Sequence, residues 1–321
     1  MKSEHRSSNR PLNPLRIVGL SLALAAGGLG VLSLSLLQAQ AREAVDVQAR
    51  VVPSDDDLRG ERIGSQVQRR GQRVQTELTG LHGQHAWAGE YYEGDGFGTN
   101  VRVLIAPSAG VSSTWHGCTG MYAQNEGEVA IQADGSLKLN YAHSTDGPFK
   151  LPTQLRPVRW GERVYLIAAS DPMTLINSIN MGEEPRTTPY GQVLLRKGDE
   201  DKAVVGLPDL PADQLAAIRS VALNLKVTAS RRTSSEFRYD YCTDAYELTF
   251  DRGIADGIRP GVELRLVSKS PVGERVRIVS AQPETSVAEW RDMNHKCGKD
   301  RSADLRRWVF STGSYTTQAA M

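Results

Sequence analysis

Across residues 87–141, short alternating apolar stretches are broken by Gly, Asp, Asn and Pro about every ten residues. Punctuation this dense excludes long helices and predicts a meander of antiparallel strands that forms a sheet or a small barrel. Val101, Val103 and Ile105 alternate as one face of a strand, and Pro107 with Gly110 supplies the next turn. Val129 and Ile131 lead into Asp134-Gly135, a hairpin signal because glycine tolerates positive φ, and Leu137, Leu139 and Tyr141 resume the alternation.

The same grammar continues downstream. Residues 158–169 read as a strand pair bent at Trp160-Gly161, residues 171–181 as a short helix ended by Pro185 and Pro189, and residues 192–196 as a further strand. Residues 207–211, with prolines at both ends of LPDLP apart from the first Leu, mark a boundary, and residues 212–218 suit a short helix opened by Pro211. Alternation returns in Val221, Leu223, Leu225 and Val227, and again in Tyr246, Leu248 and Phe250. The turn GIADGIRPG then delivers Val262, Leu264 and Leu266 into a strand followed by Val276 and Ile278. The fold class expected is therefore mainly β: an N-terminal membrane helix, one juxtamembrane helix, then two β-rich, barrel-like domains.

The N-terminus has a different character. Lys2, Arg6, Arg10 and Arg16 precede an uncharged run over residues 17–37, long enough at 1.5 Å per residue to match a bilayer core of about 30 Å. Ala39-Gln40-Ala41 resembles a signal-peptidase site, so residues 1–41 read either as a cleaved signal peptide or as a retained signal anchor. The basic flank places the N-terminus in the cytoplasm and the remainder across the membrane. The expected location is thus inner-membrane-anchored with the bulk in the periplasm, or periplasmic after cleavage near Ala41.

Residues 42–53 form a linker, and residues 54–82 a helix that starts at Ser54 with Asp55, Asp56 and Asp57 in its first turn. Ile63, Val67, Val74, Leu78 and Leu81 share one face of it, while Gly60, Gly64 and Gly71 weaken it by about 1 kcal/mol each. Such a helix needs a partner surface: the following sheet, or a second helix in a coiled coil. The β-rich domain then spans residues 83–206, a linker with a short helix 207–220, a small barrel module 221–297, and a tail 298–321 that docks as an edge strand or frays.

With 38 Lys and Arg against 37 Asp and Glu, the net charge of +1 gives no field for nucleic acid. Three cysteines are too few for a disulfide framework; outside the cytoplasm Cys242 with Cys297 is the favoured pair, leaving Cys118 over. His116 and Cys118 would share a strand face if WHGC were extended, placing a base beside a thiol. His82, His85, His116 and His143 could assemble a metal site, although HxxH here lacks the glutamate of a zinc protease. Trp87, Tyr91, Tyr92, Trp115 and Trp160 could line an apolar pocket if the block closes as a barrel, or could be ordinary core. The loop EGDGFGTN has neither phosphate-loop nor EF-hand spacing and reads as a turn.

The Gly89-Glu90-Tyr91 start and the Asp134-Gly135 hairpin resemble the entry strands of lipocalin-like barrels. Continued through RPVRWGERVYLI and NSINMGEEPR, the stretch resembles a group of exported, β-rich bacterial proteins of no assigned activity, which implies export and fold but no catalytic residue. The turn ADGIRPG, the strand RVRIV and the following SVA are similar to small β-barrel modules of envelope assemblies, such as the C-terminal domain of a flagellar T-ring protein and MreC-like proteins. That resemblance implies protein contact as the module's role. The function expected is a non-enzymatic envelope protein with protein partners, held to the membrane through residues 17–37 if these are uncleaved, and requiring no cofactor. A barrel binding a small apolar ligand is the first alternative, and a thiol enzyme or hydrolase using His116 and Cys118 the second. GxSxG, HExxH, P-loop and SxxK motifs are all lacking.

Overall fold

In the computed structural model, fourteen strands among the residues it describes close into two barrels. It describes residues 55–83, 85–96, 98–144, 152–187, 193–238, 241–268, 274–295 and 300–315. Among these residues no helix is long and apolar enough to cross a membrane, and the apolar run 17–37 lies outside them, as do the linker and Cys297.

The first barrel is an eight-stranded up-and-down meander: β1 (Gly89–Glu93), β2 (Asn100–Ala106), β3 (Gly110–Gly117), β4 (Gly120–Ile131), β5 (Leu137–Tyr141), β6 (Gln154–Trp160), β7 (Arg163–Ala168) and β8 (Val193–Arg196). It closes where Tyr91 and Tyr92 of β1 pair with Arg196 and Leu195 of β8. Alternation decides what lies inside. Val101, Val103 and Ile105 of β2 join Tyr91, Trp115, Leu137, Leu155 and Leu166 on the axis. An eight-stranded barrel is just wide enough for its own side chains to fill, and these do.

Two segments cover its outside. Helix α1 (Asp55–Gly80) lies across β2, β3 and β4, so the expected partner of its apolar face is the sheet. Val67 and Val74 are buried, and Val74 packs with Leu104 and Ala106 on the outward face of β2. This explains why β2 is buried on both faces. The glycine at position 71 is a contact residue rather than a weakness: a Cβ there would lie 3.3 Å from Ser112 Oγ and 3.5 Å from Leu104. Arg70 fastens the helix through Glu126 at 2.6 Å and Glu128 at 2.9 Å, and Glu77 accepts the backbone N–H groups of Ser108 and Ala109.

On the other side, Val158, Tyr165, Ile167, Val193 and Leu195 face outward from β6 to β8. They are covered by helix α2 (Met173–Met181) through Leu175, Ile176 and Ile179, and by Leu210 and Ala217 around helix α3 (Ala212–Leu215).

The second barrel has six strands: β9 (Asn224–Arg238), β10 (Tyr241–Phe250), β11 (Glu263–Leu266), β12 (Arg275–Ala281), β13 (Ser286–His295) and β14 (Val309–Ser311), ordered β10-β13-β12-β11-β14-β9 around the ring. Consecutive hairpins β11 to β13 return the chain beside β10, a Greek-key arrangement. Tyr246, Phe250, Leu264, Ile278 and Phe310 fill its axis, with Trp290 and Trp308 edge-to-face at 5.0 Å. Residues 302–311 are part of this barrel rather than a frayed tail. Helix α4 (Ser302–Leu305) buries Leu305, and β14 closes the ring between β11 and β9 while burying Phe310. The barrel therefore extends past the 221–297 boundary, because β14, which sits between β11 and β9 in the ring, follows that boundary in the chain.

Candidate functional site

The residues with the most specific geometry cluster where α2 meets the second barrel. All of its residues from Thr174 to Asn180 are buried, because one side packs on the first barrel and the other on the second. Asn177 spends both halves of its amide across this joint: Nδ2 donates to Gly261 O at 2.9 Å, and Oδ1 accepts from Glu263 N at 3.0 Å. One turn on, Asn180 Nδ2 donates to Ala217 O and Asn180 Oδ1 accepts from Arg219 N. The second barrel approaches closely enough that a Cβ at Gly313, where φ is 67°, would sit 2.3 Å from Asn180 O.

Both ends of α2 are held by arginines. Asp171, just before it, accepts Arg277 Nη2 on both carboxylate oxygens at 2.6 and 2.7 Å. Beyond its C-terminus Gly182 is left-handed, its N–H reaching Ile179 O and the N–H of Glu183 reaching Ser178 O, a Schellman exit. That exit points Glu183 at Arg265 and Arg275, and Arg275 also meets Glu263 at 2.9 Å. Arg275 and Arg277 face outward on β12 because Val276 and Ile278, alternating with them, face the core.

Beside this exit lies a cavity of about 250 Å³ lined by Trp160, Arg163, Ile179, Glu184, Val204 and Tyr315 among others. Trp160 Nε1 and Tyr315 OH both donate to Gly206 O at 2.8 Å, so the polar ends of the two rings are already engaged. Arg163 donates to Glu184 Oε2 and to the carbonyls of Lys202 and Glu200. Glu184 Oε1 is buried without a hydrogen-bond partner. Next to this network, burial pushes the Tyr165 phenol up to about 12, outweighing Arg163. Burial and a hydrogen bond with Glu200 do the same to Tyr92. Neither phenol supplies a base at neutral pH, and no histidine or cysteine lines the cavity among the described residues.

The residues singled out from sequence fall in several places. The strand premise for WHGC stops at Gly117: His116 is exposed at the end of β3, and Cys118 lies in the two-residue turn before Gly120. Cys118 is an exposed thiol outside any disulfide, whereas Cys242 is disulfide-bonded; its expected partner Cys297 lies outside the described residues. The five aromatics do not share one pocket. Trp87, Tyr91 and Trp115 belong to the first barrel's interior, while Tyr92 and Trp160 face outward, as adjacent residues of one strand must alternate. Tyr92 lies under the Arg186 guanidinium at 5.0 Å, and Trp160 lines the cavity.

The histidines are dispersed as well. His82 follows α1 with φ 49°, His85 accepts the backbone N–H groups of Trp87 and Ala88 on Nδ1, and His143 receives Asn125 Nδ2 on its carbonyl. Among the described residues no three His, Cys, Asp or Glu side chains gather as a metal-ligating set. The loop after β1 is satisfied within itself and against Arg186: Gly96 N donates to Asn100 Oδ1, Gly98 N to Asp95 Oδ1, and Gly94 N to Arg186 O. Asn177, Asp171, Glu183 and the three arginines went unread in the sequence, although the alternation RVRIV already marks Arg275 and Arg277 as outward-facing. No protein-family model matches this chain, and no curated protein or solved structure does either.

Proposed function

We propose that the chain is a non-enzymatic interaction module of the cell envelope, exported by its N-terminal segment and presenting two joined barrels to protein partners. The observation that carries this reading is that each barrel axis is occupied by the chain's own large side chains. Tyr91, Leu137, Leu155 and Leu166 fill one, and Tyr246, Phe250 and Phe310 the other. Filled axes weigh against a ligand chamber inside either barrel and leave the outer surface as the working part. The resemblance of the second barrel's turn and strand pattern to envelope contact modules supports the same reading.

The test is site-specific photocrosslinking in living cells, with the full-length chain carrying the crosslinker at exposed positions of each barrel. Val279 on β12 and Ile131 on β4, 51% and 63% exposed, are suitable sites. The reading expects one dominant envelope protein to be captured from Val279 on the second barrel and a weaker or different pattern from Ile131. Equal, diffuse capture from both sites would refute it.

A further inference from the structure

Strand β9 outruns the ring that it helps to close. It is 15 residues long, yet β14 pairs with it only over residues 224–226. Val227 N then donates to Trp308 O and Ser230 Oγ to Ser302 O, which carries helix α4 along the strand as far as Ser230. Beyond that point, among the described residues, the main chain of residues 231–237 pairs with β10 alone. We infer that this open edge is a docking strip for an extended segment of an envelope protein, which adds to β9 as a further strand. The inference deepens the contact-module reading and rests on it.

Three observations support it. In an antiparallel strand successive residues turn their N–H and C=O groups to opposite edges, so alternate residues of this stretch offer both groups outward. Pairing is regular there, from Ser234 opposite Ala245 to Phe237 opposite Cys242, beyond the register shift at Ala245/Tyr246. The middle of the edge is also unguarded. Exposed edges are kept single by lysine, proline or a covering segment, whereas Thr233, Ser234 and Ser235 are small, uncharged and exposed, and Phe237 is 70% exposed. Finally, the strand is braced in its extended form. Arg231 Nη2 meets Glu247 Oε1 at 3.1 Å, Thr233 Oγ1 donates to Ala245 O at 3.2 Å, and Cys242, across from Phe237, is disulfide-bonded. A braced strand leaves little ordering to be done when a partner binds.

The edge also defines the partner. A row of alternate N–H and C=O groups is matched by extended main chain and not by a helix, whose own groups are paired internally. Ser235 and Phe237 lie opposite Asp244 and Cys242, which are buried, so both face the barrel side of the sheet. The partner segment therefore sets an apolar or aromatic side chain beside Phe237 and a small one beside Ser235, the cross-strand pairs that stabilise such a ladder. Arg231 and Arg232 already meet Glu247 and Asp244, so the segment needs no acidic residue.

The experiment isolates the tagged full-length chain from cells after mild crosslinking and compares its hydrogen exchange in the complex with that of the free chain. In the free chain alternate amides of residues 234–237 should exchange fast, and in the complex those same amides should slow by at least about ten-fold. Ser234→Pro and Ser235→Pro divide the two edges. One removes an N–H bonded to β10 and lowers the melting temperature; the other removes an outward N–H, leaves the melting temperature nearly unchanged, and should cut recovery of the complex about ten-fold. If both prolines destabilise the chain, the exchange comparison alone decides. A complex whose edge amides exchange as in the free chain would overturn the inference and leave the contact-module reading standing. A complex made of this chain alone, at twice its mass, would overturn it as well, and with no complex at all both readings fall.

Discussion

Replacing Asn177 with Leu tests the joint between the barrels at its most exacting point. The two side chains branch alike at Cγ with Leu the bulkier, and Asn177 is only 5% exposed, so the change removes hydrogen bonds without opening a void and any overpacking adds to the loss. Two are lost, Nδ2 to Gly261 O and Glu263 N to Oδ1. Gly261 O keeps Arg277 Nε at 3.1 Å, so the Glu263 amide is the group deprived of its side-chain acceptor. Two net hydrogen bonds at about 1 kcal/mol each, plus about 1 kcal/mol for the deprived amide, give a loss of about 3 kcal/mol. For a folded body of this size that is roughly 6–12 °C in melting temperature. Calorimetry on the full chain measures it as a downward shift in melting temperature. Asn177→Asp, which keeps the acceptor for Glu263 N, should lose less. A change below about 0.5 kcal/mol, the level of an ordinary surface substitution, would refute the assignment of Asn177 as the joint's anchor.

Further outcomes follow from other parts of the molecule. Gly71→Val should overpack α1 against Ser112 and Leu104, costing about 1–3 kcal/mol and accelerating hydrogen exchange in residues 62–78 without affecting the second barrel. Phe310→Ala should cost about 3–5 kcal/mol, because β14 closes the second barrel and Phe310 is fully buried; urea unfolding measures it. Tyr91 is pushed up to about 12 by burial, partly offset by Arg196, so the folded state holds its proton more tightly than the unfolded chain. That stability is fully present below about pH 10 and is lost as pH rises toward 12; at about 1.4 kcal/mol per unit it amounts to about 3 kcal/mol. Tyr91→Phe should flatten this alkaline limb, as followed by unfolding across pH 9–12. Thiol labelling under denaturing, non-reducing conditions should modify Cys118 alone, with Cys242 modified only after reduction.

Local grammar made the strands legible. Asp134-Gly135 and Trp160-Gly161 fall at turns, and the alternation of Val101, Val103 and Ile105 names the residues on the first barrel's axis. Helix α1 was legible too, since Val67 and Val74 lie at helical spacing on an otherwise polar segment. Gly71 was misread because propensity counts what glycine costs a helix and not what its missing Cβ lets a neighbouring strand approach. The WHGC geometry failed for a related reason: Gly117 and Gly120 bracket Cys118-Thr119 as a hairpin, which overrides strand alternation.

The joint was hidden for a different cause. Asn177 and Gly261 are 84 residues apart, and a polar residue inside an apolar helix segment looks like a solvent-facing position until a second surface is placed over it. The three residues of β14 are too short to announce a strand, yet they close a ring. Cavity residues such as Trp160, Glu184 and Tyr315 come from separate segments, so no spacing connects them.

If the chain presents the outer surface of its barrels to a protein partner, as proposed, it should be held in a complex in the cell envelope. Native electrophoresis of envelope extracts from crosslinked cells tests it most directly, comparing the wild-type chain with Val267→Arg and Val279→Arg, two exposed positions of the second barrel. The wild type should migrate as a complex well above the monomer mass, lost in at least one variant while its melting temperature is unchanged. Migration of the wild-type chain as a monomer in those extracts would contradict it.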